Sequence, residues 1–378
     1  MMDCSERNRG VGMLSISFSN TFRILGAIAA LSVAAGHYVS TDEMSPGYVY
    51  TANLIFQDAI GNGFFRLAVP TFALLSGFFY FLSYQGRDSW VPKLRQRIST
   101  VVIPYILAST LFFLAFCFAY WWFQGELPAF SAKFLIDSFF LHPHSVQLWY
   151  LRDLMVLVVI APLFNPRAMW ATVLLGAIAI CWALNINFLP IVEGWYLINL
   201  DTLLFFSVGA WFALRPEMLE RLTHLSSNAL IVFAVAWLVL SVWRISIFPG
   251  LTVWYQHGYT VPALLMFKAT IICGLILVFN LAARLNANKR LLKLSGYGFF
   301  LYLFHFYPLN EVLYRLSDRV VAEAYRFWIC GPAAVLITFL AALICERYLP
   351  SFYRLINGGR GTIAPRADKL LQAEAKTE

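Results

Sequence analysis

The sequence predicts an all-α, polytopic integral membrane protein of about ten transmembrane helices with both termini cytoplasmic. Three observations predict it. Of the 378 residues, 60% are hydrophobic and only 13% charged, and the apolar residues fall into long runs separated by short polar segments. Soluble domains run at roughly 45–50% apolar and about 25% charged, whereas a bilayer-spanning helix needs about 20 predominantly apolar residues. With a mean hydropathy of +0.68, the composition excludes a water-soluble enzyme, a disordered chain and a nucleic-acid-binding domain.

The apolar runs place spans at about 22–40, 64–84, 99–123, 148–164, 168–190, 198–214, 228–248, 260–283, 295–314 and 328–349. The fourth and sixth are short, and Lys268 interrupts the eighth. Pro104, Pro162 and Pro262 lie at or near span ends, where a missing N–H costs least. The first run, ending Ala34-Ala35-Gly36, superficially resembles a cleaved signal peptide. It is followed by many more spans and carries His37, so it reads as a retained helix.

Loop charge sets the orientation. One set of segments holds Arg7, Arg9 and Arg23; Arg87, Lys93, Arg95 and Arg97; Arg167; Arg215 and Arg221; Arg284, Lys289, Arg290 and Lys293; and the tail from Arg347. The alternate set holds Asp42, Glu43 and Asp58; Glu126, Lys133 and Asp137; Glu193; and a loop near His257 without Lys or Arg. The last loop of that set, with Arg315, Arg319 and Arg326, is mixed. Positive residues collect on the cytoplasmic side, so the first set faces inward. Residues 1–20 are expected to form a cytoplasmic tail, 21–350 the membrane domain, and 351–378, with Gly358-Gly359-Arg360-Gly361, a disordered or membrane-surface tail. The net charge of +8 then reflects topology rather than a polyanion partner. Cys117, Cys181, Cys273, Cys330 and Cys345 sit in apolar runs, so no disulfide framework is expected.

Ionisable residues within spans are costly, roughly 2.5–3.5 kcal/mol each on insertion scales, and mark functional candidates. His37 lies fourteen residues past Arg23, roughly 21 Å along a helix, which puts it in the outer half of the bilayer. It follows the small residues Ala34-Ala35-Gly36, which let another helix or a substrate approach. Arg66 opens the second span from outside, as a functional group or as a snorkelling anchor. Arg152 and Asp153, a few residues into the fourth span, are adjacent and point in different directions, so each needs its own partner. His305 lies near mid-membrane in the ninth span, and Arg244 is close enough to the end of the seventh to snorkel. His142 and His144 lack a third ligand, and no metal site is expected. Together His37, Arg66, Arg152 and Asp153, with His305 below them, are expected to line one polar cavity. A histidine without a Ser or Cys nucleophile suits general-base chemistry on a hydroxyl brought by a substrate.

Five segments carry a family resemblance. They are Phe22-Arg23-Ile24-Leu25-Gly26 through His37; Val69-Pro70-Thr71-Phe72 through Ser76-Gly77-Phe78-Phe79; Lys93-Leu94-Arg95-Gln96-Arg97 to Ile103-Pro104-Tyr105; Leu148-Trp149-Tyr150-Leu151-Arg152-Asp153-Leu154; and Leu294-Ser295-Gly296-Tyr297 to Tyr302 and His305. In this order on ten helices, the chain resembles the acyltransferase-3 family of integral-membrane O-acyltransferases. The family places its first-helix arginine where Gly26 stands here, with Arg23 one turn lower. The resemblance implies transfer of an acyl group, usually acetyl from acetyl-CoA, to a hydroxyl of an extracytoplasmic or lipid-linked glycan. It implies a protein of the bacterial inner membrane, with acyl-CoA as co-substrate and no permanently bound cofactor. His37, Arg66, Arg152 and Asp153 are then the catalytic candidates. Arg23, Lys93, Arg95 and Arg97, beside Arg87, suit CoA phosphates, and His305, Trp149 and Tyr302 suit the acceptor. Transfer by a general base and transfer through an acyl-histidine both remain open. The alternative is a transporter or flippase of a lipid-linked saccharide, which predicts the same helices and buried charges.

Overall fold

The computed structural model describes residues 16–39, 51–82, 84, 89–163, 169–189, 191–192, 195–196, 198–247 and 260–360. Arg7, Arg9, Asp42, Glu43, Arg87, Arg167, Glu193, His257 and residues 361–378 lie outside them. The described part is built from helices, with one small hairpin of two two-residue strands, Ile191–Val192 and Trp195–Tyr196.

The first helix, α1, runs Ile16–Gly36. The second predicted span begins earlier than the hydropathy suggested. Helix α2 (Ala52–Gly63) starts on a Thr51 side chain that accepts from the Leu54 N–H, and a 3₁₀ turn at Phe65–Leu67 joins it to α3 (Ala68–Leu82). Asp58, expected in a loop, is therefore inside a helix. It is fully buried and paired with Arg244, which is 2% exposed and does not snorkel. A buried charge is tolerated only when paired, and each of these residues answers the other.

Helix α4 (Trp90–Arg97) passes through a π-helical turn at Ile98–Val102 into α5 (Ile103–Gln124). Gly125, in the left-handed region at φ 77°, closes α5 by donating to the Trp121 carbonyl. The short α6 (Ala132–Ile136) leads through a second π turn, Asp137–Leu141, towards α7 (Trp149–Ile160). Two shorter apolar helices follow, α8 (Met169–Ala183) and α9 (Leu200–Ala213). After the amphipathic α10 (Pro216–Thr223) come α11 (Ser227–Ile247) and α12 (Val261–Leu285). Among the described residues, seven stretches are long and apolar enough to cross a bilayer.

The ninth predicted span, 295–314, is not one helix. It follows α13 (Lys289–Ser295) as α14 (Gly298–Phe304), breaks at His305, and resumes as α15 (Leu309–Ser317). Pro308 supplies no N–H to continue the ladder, and the His305 ring takes carbonyls in the preceding turn. Irregular backbone at membrane depth is tolerated where protein buries it or a cavity receives it. Helix α16 (Arg326–Tyr348) is followed by α17 (Pro350–Ile356). The segment read as a disordered tail is thus ordered to residue 360, with Tyr353, Ile356 and Asn357 buried.

The closest packing in the bundle joins α3 to α9. A Cβ placed on Gly77 would stand 2.0 Å from the Phe206 carbonyl oxygen, and one on Gly209 would stand 2.1 Å from that of Leu74. Two backbones meet here because glycine leaves room, the device membrane helices use where apolar burial alone cannot drive association. Helix α1 lies against α3, α12, α14 and α16, so its far end is enclosed by the breaks in the second and ninth spans.

Candidate active site

His37 follows the C-terminus of α1 and faces His305. Their ring centroids are 5.2 Å apart, and Phe306 lies 4.4 Å from His37. The two chain ends are tied together: the Tyr38 hydroxyl donates to the His305 carbonyl at 3.1 Å, and the Tyr314 hydroxyl donates to the His37 carbonyl at 3.3 Å. Gly36 lets the end of α1 lie close to the 3₁₀ turn, since a Cβ there would stand 3.0 Å from the Phe65 Cβ. His305 is fully buried. Its Nδ1 lies 3.0 Å from the carbonyls of both Leu301 and Tyr302, so Nδ1 carries the proton. Its Nε2 is left as a lone pair with no hydrogen-bond partner among the described residues. Fixing one ring nitrogen by a carbonyl is how a histidine tautomer is set.

Arg66 sits in the 3₁₀ break rather than at the mouth of a span. Its positive charge is felt at His37 and also at Asp201 and Lys268. The last two form a buried cluster absent from the sequence-based site. The Lys268 Nζ stands 3.7 Å from an Asp201 carboxylate oxygen and 4.2 Å from the centre of the Trp182 ring, whose indole N–H donates to the same carboxylate. Lys268 was visible in the sequence as a charge inside a span. Asp201 escaped because it lies in the first turn of a short helix, two residues after the cap residue Asn199.

Arg152 and Asp153 both have partners inside the bundle. Arg152 donates to the carbonyls of Phe140 and Leu141 at 3.1 Å each, closing the π turn, and its guanidinium reaches round to 3.7 Å from Asp153. The two are therefore partners despite their adjacency, because the arginine chain is long. Asp153 accepts the Asn199 N–H at 2.7 Å and so anchors the start of α9. Tyr302 spends its hydroxyl on the Gln147 carbonyl, while its ring joins Phe72, Tyr150 and Phe299 in an aromatic group. Trp149 stands beside Tyr150 at the start of α7. His144 stacks on Phe116 with centroids 4.1 Å apart, and among the described residues no cluster of His, Cys, Asp and Glu suits a metal.

A second site lies at the opposite, basic end of the bundle, where α1 begins and α3 ends. A cavity of about 270 Å³ is lined by Phe79, Tyr80, Lys93, Gln96, Arg97, Thr100 and the segment Gly358–Arg360. Lys93 donates to the Tyr80 carbonyl at 2.6 Å and lies over the Tyr80 ring. Of the four residues assigned to donor phosphates, the structure brings Lys93 and Arg97 together here. Arg95 is exposed and outside the lining. Arg23 donates to the Leu292 carbonyl at 2.9 Å, in the last turn of α13, where a cation complements the helix dipole. A Cβ on Gly26 would meet nothing within 4 Å, so the space that the family's arginine would enter is open.

Comparison with known proteins now supplies the chemistry. A family model described as an acyltransferase domain, acyltransferase-3, matches residues 22–347. The chain belongs to this family. It is an integral-membrane O-acyltransferase, which sets aside the transporter alternative. It is 22% identical over 320 residues to a succinoglycan biosynthesis protein, ExoH, of Rhizobium meliloti (strain 1021), covering 80% of this chain and 81% of that one. No solved structure matches. The helices that the match spans include both the histidine pair and most of the basic cavity.

Proposed function

We propose that this acyltransferase moves an acetyl group from cytoplasmic acetyl-CoA to a hydroxyl of an extracytoplasmic or lipid-linked polysaccharide. Both termini are then cytoplasmic, in a bacterial inner membrane. The observation that carries the reading is the apposition of His37 and His305 at one depth of the bundle, with a cation-lined cavity at the basic end. The polysaccharide acceptor is suggested by the named role of the Rhizobium relative in succinoglycan biosynthesis, and the direction by the loop-charge bias.

His37 is the general base in this reading. A sugar hydroxyl is a poor nucleophile near neutral pH and must lose its proton as it attacks the thioester carbonyl. The 5.2 Å ring separation lets the Nε2 lone pair of His305 accept the N–H of His37, leaving the other His37 nitrogen for the hydroxyl proton. His305 is then a positioning residue of the kind that orients a catalytic base. The acceptor oxygen bonds to the acyl carbon, the C–S bond breaks, and the coenzyme leaves as a thiol with the proton that His37 returns. Arg66 supplies positive charge towards the developing oxyanion, a contribution that grows in a dry site. Arg152 and Asp153 support the walls of this site, since their partners are backbone groups of neighbouring segments.

Membranes holding the protein are incubated with acetyl-CoA labelled in the acetyl group, and the envelope polysaccharide is analysed by mass spectrometry with and without the gene. Label in an alkali-labile ester on the polysaccharide, dependent on the gene, is expected. An unchanged acyl pattern in the deletion sinks the acceptor assignment.

A further inference from the structure

We propose that the turn Gly358–Arg360, beyond the last membrane helix, is a wall of the donor site, with Arg360 a direct ligand of the phosphates of the acyl donor. The proposal rests on the donor reading above and adds to it a segment that lies past the family match, which ends at residue 347.

The turn is built and not merely trailing. Helix α17 is held down by Tyr353 and Ile356, both buried, with the Tyr353 ring against Tyr297 and Phe300. It closes when Gly358 donates to the Leu355 carbonyl and Gly359 to the Arg354 carbonyl, at 3.2 and 2.8 Å. Both glycines are left-handed, at φ 62° and 73°, the conformation glycine supplies at helix ends. Gly358 also has no room for a side chain. A Cβ there would stand 2.6 Å from the Thr100 carbonyl oxygen and from an Arg360 guanidinium nitrogen.

This closure turns Arg360 back into the bundle. Its guanidinium donates to the Thr100 carbonyl at 2.9 Å and lies 4.0 Å above the centre of the Phe299 ring. It shares the cavity with Arg97 and Lys93, and among the described residues no carboxylate lines that cavity. Burial first, and Arg97 second, pull Arg360 down to about 10. Cations gathered from two distant parts of the chain repel one another unless an anion joins them. Phosphate is the anion that guanidinium forks match best.

Placement gives the site its purpose. Phe299, under Arg360, begins the helix that ends at His305. They are six positions apart, roughly 9 Å of helix rise. A donor anchored by its phosphates on Arg360 and Arg97 directs its thioester arm along α14, past Phe299 and Tyr302, towards the histidine pair.

A phosphate group also terminates anionic lipids, and the test separates the two sources. Full-length protein in phosphatidylcholine nanodiscs is titrated calorimetrically with CoA and with pantetheine, for the natural chain, Arg360→Gln and Arg360→Lys. The expected result is a CoA affinity at least tenfold weaker in Arg360→Gln and intermediate in Arg360→Lys, with pantetheine binding and thermal unfolding unchanged. The lysine variant keeps the test open if the glutamine variant fails to fold. Equal CoA affinity in all three overturns the proposal while leaving the donor reading intact. Failure of the natural chain to bind CoA overturns the donor reading itself. If phosphatidylglycerol in the nanodisc abolishes the difference between natural and variant chains, the site belongs to a lipid and the donor assignment is wrong.

Discussion

The basic cavity and the histidine pair lie at two depths of one bundle and are built in opposite ways. At the cavity, half-buried Lys93, Arg97 and Arg360 hold like charges together, steadied by carbonyls of Tyr80 and Thr100 and by the faces of Tyr80 and Phe299. At the histidine pair, two imidazoles meet where α1 ends and α14 breaks, fixed through carbonyls and tyrosine hydroxyls. In the proposed reaction the cavity holds the charged donor without changing it. The pair moves a proton. Substitutions in the two regions should therefore separate into effects on donor affinity and effects on turnover.

The largest effect is expected at the pair. His37→Ala should cut acyl transfer on the order of 100-fold or more at saturating donor, with the protein inserted at its normal level by immunoblot. His305→Gln should also lower kcat but keep part of it and move the pH–rate profile, as a group acting through His37 would. Near-normal polysaccharide acylation by a well-expressed His37→Ala variant would remove both the base and the acyl-histidine routes.

A smaller effect of a different kind is expected at the cavity. Charge-assisted contacts are worth about 1.5–3 kcal/mol each, so Arg97→Ala should raise the KM for the donor about ten- to a hundredfold while leaving kcat largely in place. Initial rates across a donor concentration series measure the split. A fall in kcat with unchanged KM would erase the distinction between the regions.

The smallest effect is the control. Arg95→Ala, exposed and outside the lining, should change the donor KM by less than about twofold, within the ordinary range for surface substitutions. A loss equal to that of Arg97→Ala would mean that the loop acts through its overall charge rather than through the cavity.

Much of the architecture was legible because the bilayer imposes simple rules. Apolar runs mark helices, and nearly all of the predicted spans coincide with one. The failures came where a helix is interrupted or a charge is paired within the bundle. Hydropathy began the second span at residue 64, because Gln57, Asp58 and Asn62 lower its average. Those residues are buried among neighbours and never meet lipid. It carried the ninth span through His305 and Pro308, because an apolar composition does not report a broken hydrogen-bond ladder. Arg244 read as an anchor because its partner, Asp58, lies 186 positions away in the chain.

By itself the sequence determined the solvent, the helical class and the identity of the residues too costly to be idle, His37, Arg152, Asp153, Lys268 and His305 among them. These follow from composition and from the cost of placing charge in hydrocarbon, both local properties of the chain. Only the tertiary structure decided the pairings. It joined His37 to His305, gave Lys268 to Asp201 and Trp182, assigned Arg152 and Asp153 to neighbouring backbone, and folded Gly358–Arg360 back into the basic cavity. A pairing depends on which helix faces which, and that is fixed by close contacts such as Gly77 against Phe206, between residues that no sequence pattern connects.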